Sequence, residues 1–445
     1  MRATPALLAT ALLITPTTPA ATASAAAATA SAATASAATA SAAAAPAAAD
    51  TLIYLQSATT GLNAAVSGTS VVQHRPKGDE DHQQWTLSGR TLKEGALCLG
   101  RSGDQAVMLA CDSPDAQWDV LPDADRHRLR VPGADRYLVS AGDQVKVGTG
   151  DTLWYLTPVH PTRTPVPQDG TRRLDQVTFL TAHNAYANGV DGGFAPPFVN
   201  LAPNQQRGIA QQLADGVRGF QLDIHQTPDG AILCHNSCTW VSRPVALWVD
   251  VQKVVDFLRA NPGEFVTIFL EDYVSAQVLK NELARVTGLA DVLFRPDQAG
   301  VRTNGWPTLN TLRATGKRLL IFTDHTRAND TPQRDSFGVM YQSEWTVENH
   351  WSMGSGLGTS DWSCYSRWST PLTRTEPGFT PLFVMNHFRD VPFTGTASTD
   401  NGKLADRARR FCEPAARKTP NYLAVDHYHL GNPMTAVQAL SGERF

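Results

Sequence analysis

Across residues 171–445, seven short apolar runs each stop at a side chain that carries charge or hydrogen-bonds strongly. The runs are Val177–Thr181, Gly219–Leu222, Ala231–Leu233, Phe265–Leu270, Arg318–Phe322, Leu382–Met385 and Tyr422–Val425. They end, in the same order, at His183-Asn184, Asp223, His235, Glu271-Asp272, Asp324, Asn386-His387 and Asp426. Helix-like stretches such as NQQRGIAQQLADG and DVQKVVDFLRANPGE lie between, the second capped by Asp250 and stopping at Asn261-Pro262-Gly263. Apolar runs alternating with helices imply parallel strands with crossover helices. In a closed parallel barrel all the strand ends open on one face, where catalytic sites are built. One polar residue after a strand is ordinary; a whole set is better explained by one shared cleft.

The residue types narrow the chemistry of that cleft. Two histidines after different strands, His183 and His235, suit one base and one acid that both titrate near neutral pH. Asn184, Asp223 and Glu271 offer hard oxygen donors that favour Ca²⁺ or Mg²⁺ over zinc. No G-x-S-x-G motif occurs, which disfavours an acyl-enzyme. Two histidines with a hard cation fit phosphodiester cleavage, where positioning and charge neutralisation dominate. A histidine at a strand end is often structural, and Asp223 and Glu271 could each be salt-bridge partners. His225, Asp324 and His387 have the right position but no supporting pattern, and Asp272 should face away if Glu271 faces the cleft.

The rest of the chain is organised differently. Residues 1–25 read as a signal peptide, with Arg2, a short apolar run and A-x-A sites, so the expectation is secretion. No later stretch is long and apolar enough to be a membrane span. Residues 26–50 cycle through Ala, Ser and Thr and form a tether. Residues 51–158 are short β-like runs broken by turn residues, and 159–170 is a proline-rich linker. Net charge of −3 gives no basic surface for nucleic acid. An even six cysteines in an exported chain favour disulfides. The economical pairing is Cys98–Cys111, Cys234–Cys238 and Cys364–Cys412, although others are permitted. Zinc at Cys234-His-Asn-Ser-Cys238 competes, without a second ligand pair of suitable spacing.

Within 51–158, Trp85, Trp118 and Trp154 close the runs HQQWTL, DAQWDVL and DTLWYLT, so one unit is used three times. The segment resembles the ricin-type β-trefoil, whose lobes end in Gln-x-Trp; only Gln83-Gln84-Trp85 keeps the full motif. The resemblance implies a carbohydrate ligand, while three core tryptophans without a ligand would account for the same pattern.

Residues 171–445 show TAHNAY, QQLADGVRGFQLDI followed by DGAILCHNSC, VDFLRANPGEFVTIFLEDYV, GWPTLNTLRATGKRLLIFTD and NYLAVDHYHLG. In combination these resemble the X-domain of phosphatidylinositol-specific phospholipases C, in the secreted branch of plants, fungi and actinomycetes. The resemblance implies a distorted TIM barrel acting on a phospholipid at a membrane surface, giving diacylglycerol and an inositol phosphate. It makes His183 the base that takes the proton of the attacking inositol hydroxyl. His235 becomes the acid for the departing oxygen, and Asp426 the carboxylate that orients the base. Asn184, Asp223 and Glu271 match the calcium ligands of metal-dependent members.

Two positions depart from the family patterns. Gln221 stands where metal-dependent relatives carry Glu, and His225 where metal-independent ones carry Arg. The expected calcium site therefore lacks one negative charge and should bind more weakly. Two other readings stay open: a glycerophosphodiesterase or sphingomyelinase-D-like enzyme, whose acidic E-x-D pair Gln221-Leu222-Asp223 breaks, and a catalytically quiet glycan- or cell-surface-binding protein.

Overall fold

The structure is a computed structural model describing residues 50–78, 82–192, 203–235, 238, 244–325 and 337–445. The expected signal peptide (1–25) and almost all of the 26–50 tether lie outside the described residues.

The span Thr51–Pro158 forms twelve strands in one sheet. Every ladder in it is antiparallel, and pairing of Tyr137 with Arg130 closes it. Trp85, Trp118 and Trp154 lie in or directly before the fourth, eighth and twelfth strands, and all are fully buried. Each indole N–H donates to a backbone carbonyl, that of Ala64 (3.0 Å), Leu99 (2.9 Å) or Leu138 (3.0 Å). A buried indole needs such an acceptor, and meeting that need identically at each turn of a four-strand period confirms the internal repeat.

The remainder is a parallel barrel. Its strands are β1 (Phe179–Ala182), β2 (Gly219–Thr227), β3 (Val266–Tyr273), β4 (Leu319–Thr323), β5 (Val339–Tyr341), β6 (Thr346–Glu348), β7 (Leu382–His387) and β8 (Tyr422–Val425). Neighbours in chain order pair in parallel, and β8 returns to pair with β1. Among the described residues no ladder joins β5 to β6; the one-turn helix Gln342–Trp345 links them. The barrel is thus distorted at one seam.

Strand alternation sorts its interior. Ile268 and Leu270 pack outward against helices, while Phe269 belongs to an inner cluster with Phe322 and Tyr422. Two residues beyond Phe269, Glu271 faces the same way. On β2, Gln221 and Asp223 share a face by the same rule. The lower interior is therefore apolar and the upper interior, at the strand C-termini, is polar.

Several local expectations need correction. Ala231–Leu233 lies in a strand, Gly230–Leu233, but it returns antiparallel on β2 and is not a barrel stave. β5 and β6 have no counterpart among the expected strands. Asp223 lies inside β2, because the tight turn at Gly230 (φ 134°) lets that strand run on into a hairpin. The helix after it is Leu247–Ala260, so Asp250 sits in its first turn, ion-paired with Lys253 at 2.7 Å, and Ala246 occupies the cap position. Within the expected linker, Thr164–Pro165 pairs with Glu443–Arg444, which ties it to the barrel's C-terminus.

The twelve-stranded module packs on the barrel through polar contacts. Gln56 donates to the Ala415 carbonyl (2.9 Å) and Cys364 N–H to that of Pro76 (2.9 Å), while Arg163, in the linker, pairs with fully buried Glu413 (2.5 Å). The cysteines pair as Cys98–Cys111, Cys234–Cys238 and Cys364–Cys412. Both thiols of the competing zinc reading are consumed.

Candidate active site

His183 directly follows β1 and Asp426 directly follows β8, and these two strands are hydrogen-bonded neighbours, with Ala182 opposite Val425. Closure of the barrel therefore brings together residues 243 apart in the chain: His183 Nδ1 lies 2.8 Å from Asp426 Oδ1. The carboxylate is almost wholly buried, and Asn204 donates to the same oxygen at 2.9 Å. Phe388 lies flat against the imidazole, with ring centroids 3.5 Å apart and planes 5° from parallel. The ring is thus held by a hydrogen bond at one edge and an apolar face beneath.

The second pair forms on the adjacent stave. The chain leaves β2, turns and comes back, so that His235 Nδ1 meets Asp223 Oδ2 at 2.7 Å. Asp223 is buried, and its Oδ2 also accepts from the Tyr186 hydroxyl at 3.0 Å. Burial, reinforced by Asp223, holds the Tyr186 hydroxyl well above its ordinary pKa, so it stays a neutral donor. The hydrogen bond to Asp223 raises the pKa of His235 despite partial burial, helped by the charges of Asp223 and Glu271. The His235 side chain is 48% exposed.

Short backbone ties keep the two pairs in register. Ala185 N–H donates to the Gln221 carbonyl (3.0 Å) and Cys234 N–H to that of Asp223 (3.2 Å). In each pair the aspartate occupies Nδ1, which leaves Nε2 as the nitrogen available to a substrate.

Glu271 is the register partner of Asp223 on β3, and its Oε1 accepts from the Tyr273 hydroxyl at 2.5 Å. Asn184 follows His183 in left-handed backbone (φ 43°), a conformation asparagine tolerates better than most residues. That preference by itself gives a reason for the residue type. Asp223 and Glu271 each have one oxygen committed to protein donors, so with Asn184 they offer a thin set of hard oxygens. A calcium ion fits that chemistry only if waters or substrate complete its usual six to eight ligands.

Of the remaining candidates, His387 is fully buried beside Arg407, and burial followed by that charge drives its pKa down to about 3. It is a core residue, whereas its neighbour Asn386 reaches across the barrel to Gln221 (3.1 Å). His225 stacks on Tyr273, and burial lowers its pKa. Asp272 is buried and accepts from Thr323 on β4 at 2.9 Å, away from Glu271 as expected. Asp324 stays at the mouth, paired with Arg367 at 3.4 Å. Sequence reasoning missed Asn204, Phe388 and Arg367 as site residues. Tyr186 lies within the TAHNAY motif, which by itself gives it no role.

The fold and these pairs define a parallel βα-barrel protein with two histidine–aspartate pairs at its C-terminal mouth. The PI-PLC X profile matches residues 170–441, more than half of the chain, and the chain belongs to that family. A PI-PLC X domain-containing protein of Arabidopsis thaliana is 30% identical over 57% of this chain and 58% of its own length. An uncharacterized secreted protein of Arthroderma benhamiae is 27% identical over 59% of each. The chain thus spans under two thirds of either relative. Among solved structures, a mutant phosphatidylinositol-specific phospholipase C from Staphylococcus aureus aligns with 62% of this chain and 95% of its own, at 12% identity and a TM-score of 0.41. Among the described residues no helix is long and apolar enough to cross a membrane.

Proposed function

We propose that the chain is a secreted phosphodiesterase that cleaves phosphatidylinositol, or glycan-linked derivatives of it, at a membrane surface. The reading is carried by one observation: two imidazoles at one barrel mouth, each with Nδ1 on its own buried aspartate.

The chemistry derives from that arrangement. With Nδ1–H donated to Asp426, His183 offers the Nε2 lone pair and takes the proton of the inositol 2-hydroxyl. That oxygen attacks phosphorus from within the substrate, and the bond to the diacylglycerol oxygen breaks. His235, whose raised pKa favours the imidazolium, gives its Nε2 proton to the departing oxygen. Diacylglycerol and a cyclic inositol phosphate result, and reversed proton roles let water open the ring. Asp426 and Asp223 orient the imidazoles and stabilise their charged forms.

Calcium held by Asn184, Asp223 and Glu271 would neutralise charge on the phosphoryl oxygens when bound. The intact carboxylate partner on each histidine favours an active enzyme over a quiet binding protein. The fourfold strand period and its three indole contacts support a β-trefoil reading for residues 51–158, with a carbohydrate as ligand.

Phosphorus NMR of phosphatidylinositol incubated with the full chain tests the reading. The expected products are inositol phosphates and diacylglycerol, lost in EDTA and restored by Ca²⁺. Full turnover in chelator removes the metal, and an unchanged phospholipid signal removes the phospholipase.

A further inference from the structure

The ladder between β1 and β8 stops one rung short of the base and its aspartate. Its last rung sets Ala182 opposite Val425, and His183 N–H still donates to the Val425 carbonyl (3.0 Å). Beyond that rung both strands end, and Asn184 and His427 each take left-handed backbone (φ 43° and 44°). His183 and Asp426 therefore stand past the last pairing that strand geometry provides, each followed by a residue that turns its chain away.

Gln205, on the connection from β1 to the helix Ile209–Ala214, takes the place of the next rung. It is fully buried. Its amide nitrogen donates to the carbonyls of His183 (2.8 Å) and Val425 (3.0 Å), and its oxygen accepts from Tyr428 N–H (3.2 Å). A primary amide has two N–H donors, and this one spends both across the gap between β1 and β8. Asn204 completes the hold. Its side-chain nitrogen donates to Asp426 Oδ1 and lies 3.3 Å from His183 Nδ1, while its carbonyl accepts from His427 N–H (2.7 Å). The dipeptide is itself anchored, because Gln205 N–H donates to the Ala187 carbonyl (3.1 Å) and Asp191 accepts from Ile209 N–H (2.7 Å). Gln206, next along, is exposed and takes no part.

We infer that Gln205, with Asn204, is a positioning residue: it supplies the missing rung and fixes the distance and angle at which His183 meets Asp426. The inference rests on the phosphodiester-cleaving reading of this mouth and deepens it by naming what sets the geometry of its base. Replacing the Gln205 amide by an apolar chain strips a partner from three backbone groups, two of them in His183 and in its neighbour across the ladder, Val425. A displacement of about 1 Å at a reacting group costs about 10²-fold in rate.

Gln205→Met and Asn204→Ala are compared, in the full chain, with the control Gln56→Met. Gln56 is also a buried glutamine whose amide donates to two carbonyls, those of Gly61 (3.1 Å) and Ala415 (2.9 Å), but it lies in the twelve-stranded module. On phosphatidylinositol, Gln205→Met should lower kcat about tenfold to hundredfold and Asn204→Ala about threefold to tenfold, each with KM within about twofold. Gln56→Met should lose similar thermal stability and keep kcat within about twofold of the parent. The second readout needs no turnover: proton NMR of the chain labelled with ¹⁵N-histidine. An Nδ1 proton shared with a buried carboxylate in a short, charge-assisted bond resonates at low field. The His183 signal, identified by its absence from His183→Ala, should move upfield or broaden away in both site variants and stay in place in Gln56→Met; the His235 signal should stay in all three. That pattern supports the inference even if the chain hydrolyses nothing and the phospholipase reading falls. If circular dichroism shows that Gln205→Met does not fold, Asn204→Ala carries the same two readouts. A His183 signal that stays in place in the site variants, or a kcat that falls no further than in Gln56→Met, overturns the inference.

Discussion

The two histidine–aspartate pairs are chemically alike and built in opposite ways. His183–Asp426 joins the first and last staves, so the pair exists only when the barrel has closed. It is braced on several sides, by Asn204 on the carboxylate and Phe388 under the ring. His235–Asp223 joins residues only 12 apart across a hairpin, with half of the histidine in solvent. The Cys234–Cys238 disulfide, four residues apart in sequence, brackets it. A base made by global closure should be rigid and sensitive to folding. An acid made by a local loop should be more mobile and more sensitive to its covalent brace.

The largest effect expected is loss of either imidazole. His183→Ala and His235→Ala should each reduce turnover of phosphatidylinositol by about 10²–10⁴, the range for a general base or acid. If one of them costs less than about tenfold, the two pairs are not partners in one reaction.

Replacing the aspartates separates the pairs by pH. Asp223 raises the pKa of His235, so the acid form persists to higher pH than it otherwise would. Asp223→Asn should lower that pKa and move the alkaline limb of kcat/KM to lower pH, with turnover down about tenfold to hundredfold. Asp426→Asn should cost at least as much without that movement. An alkaline limb that stays in place in Asp223→Asn would end the acid assignment.

The disulfides sharpen the contrast further. Cys364–Cys412 closes a long loop of 48 residues, and its removal should cost about 2–4 kcal/mol in thermal or denaturant unfolding with turnover nearly kept. Removal of Cys234–Cys238 should cost at most about 2 kcal/mol while turnover falls about tenfold, because the short loop holds His235. Parallel losses of stability and turnover would make that bond a generic staple. The smallest change expected is about threefold to tenfold in kcat for Phe388→Leu, which keeps an apolar cover but removes the flat ring that lies against the imidazole and fixes its plane.

The same contrast explains what was legible in the sequence. His183, His235, Asp223 and Asp426 stand out because each ends or continues an apolar run within a motif. The Trp85–Trp118–Trp154 repeat stands out because its spacing is regular. Ala231–Leu233 reads as a stave because an apolar run carries no sign of its pairing direction; the positive φ of Gly230 sends it back antiparallel. β5 and β6 are only three residues each, too short for any period to register. Phe388, Asn204 and Arg367 are hidden for another reason. Their roles depend on which staves closure makes neighbours, and no local pattern records that.

The division of labour between the histidines can be tested by changing the leaving group. A p-nitrophenyl ester of inositol 1-phosphate releases a phenolate that needs no proton, whereas phosphatidylinositol releases an alkoxide that does. Comparing His183→Ala and His235→Ala on both substrates isolates the acid. The account predicts that His235→Ala recovers most of its lost rate on the nitrophenyl ester while His183→Ala stays equally impaired on both. Equal impairment of the two variants on both substrates would contradict a base at His183 and an acid at His235.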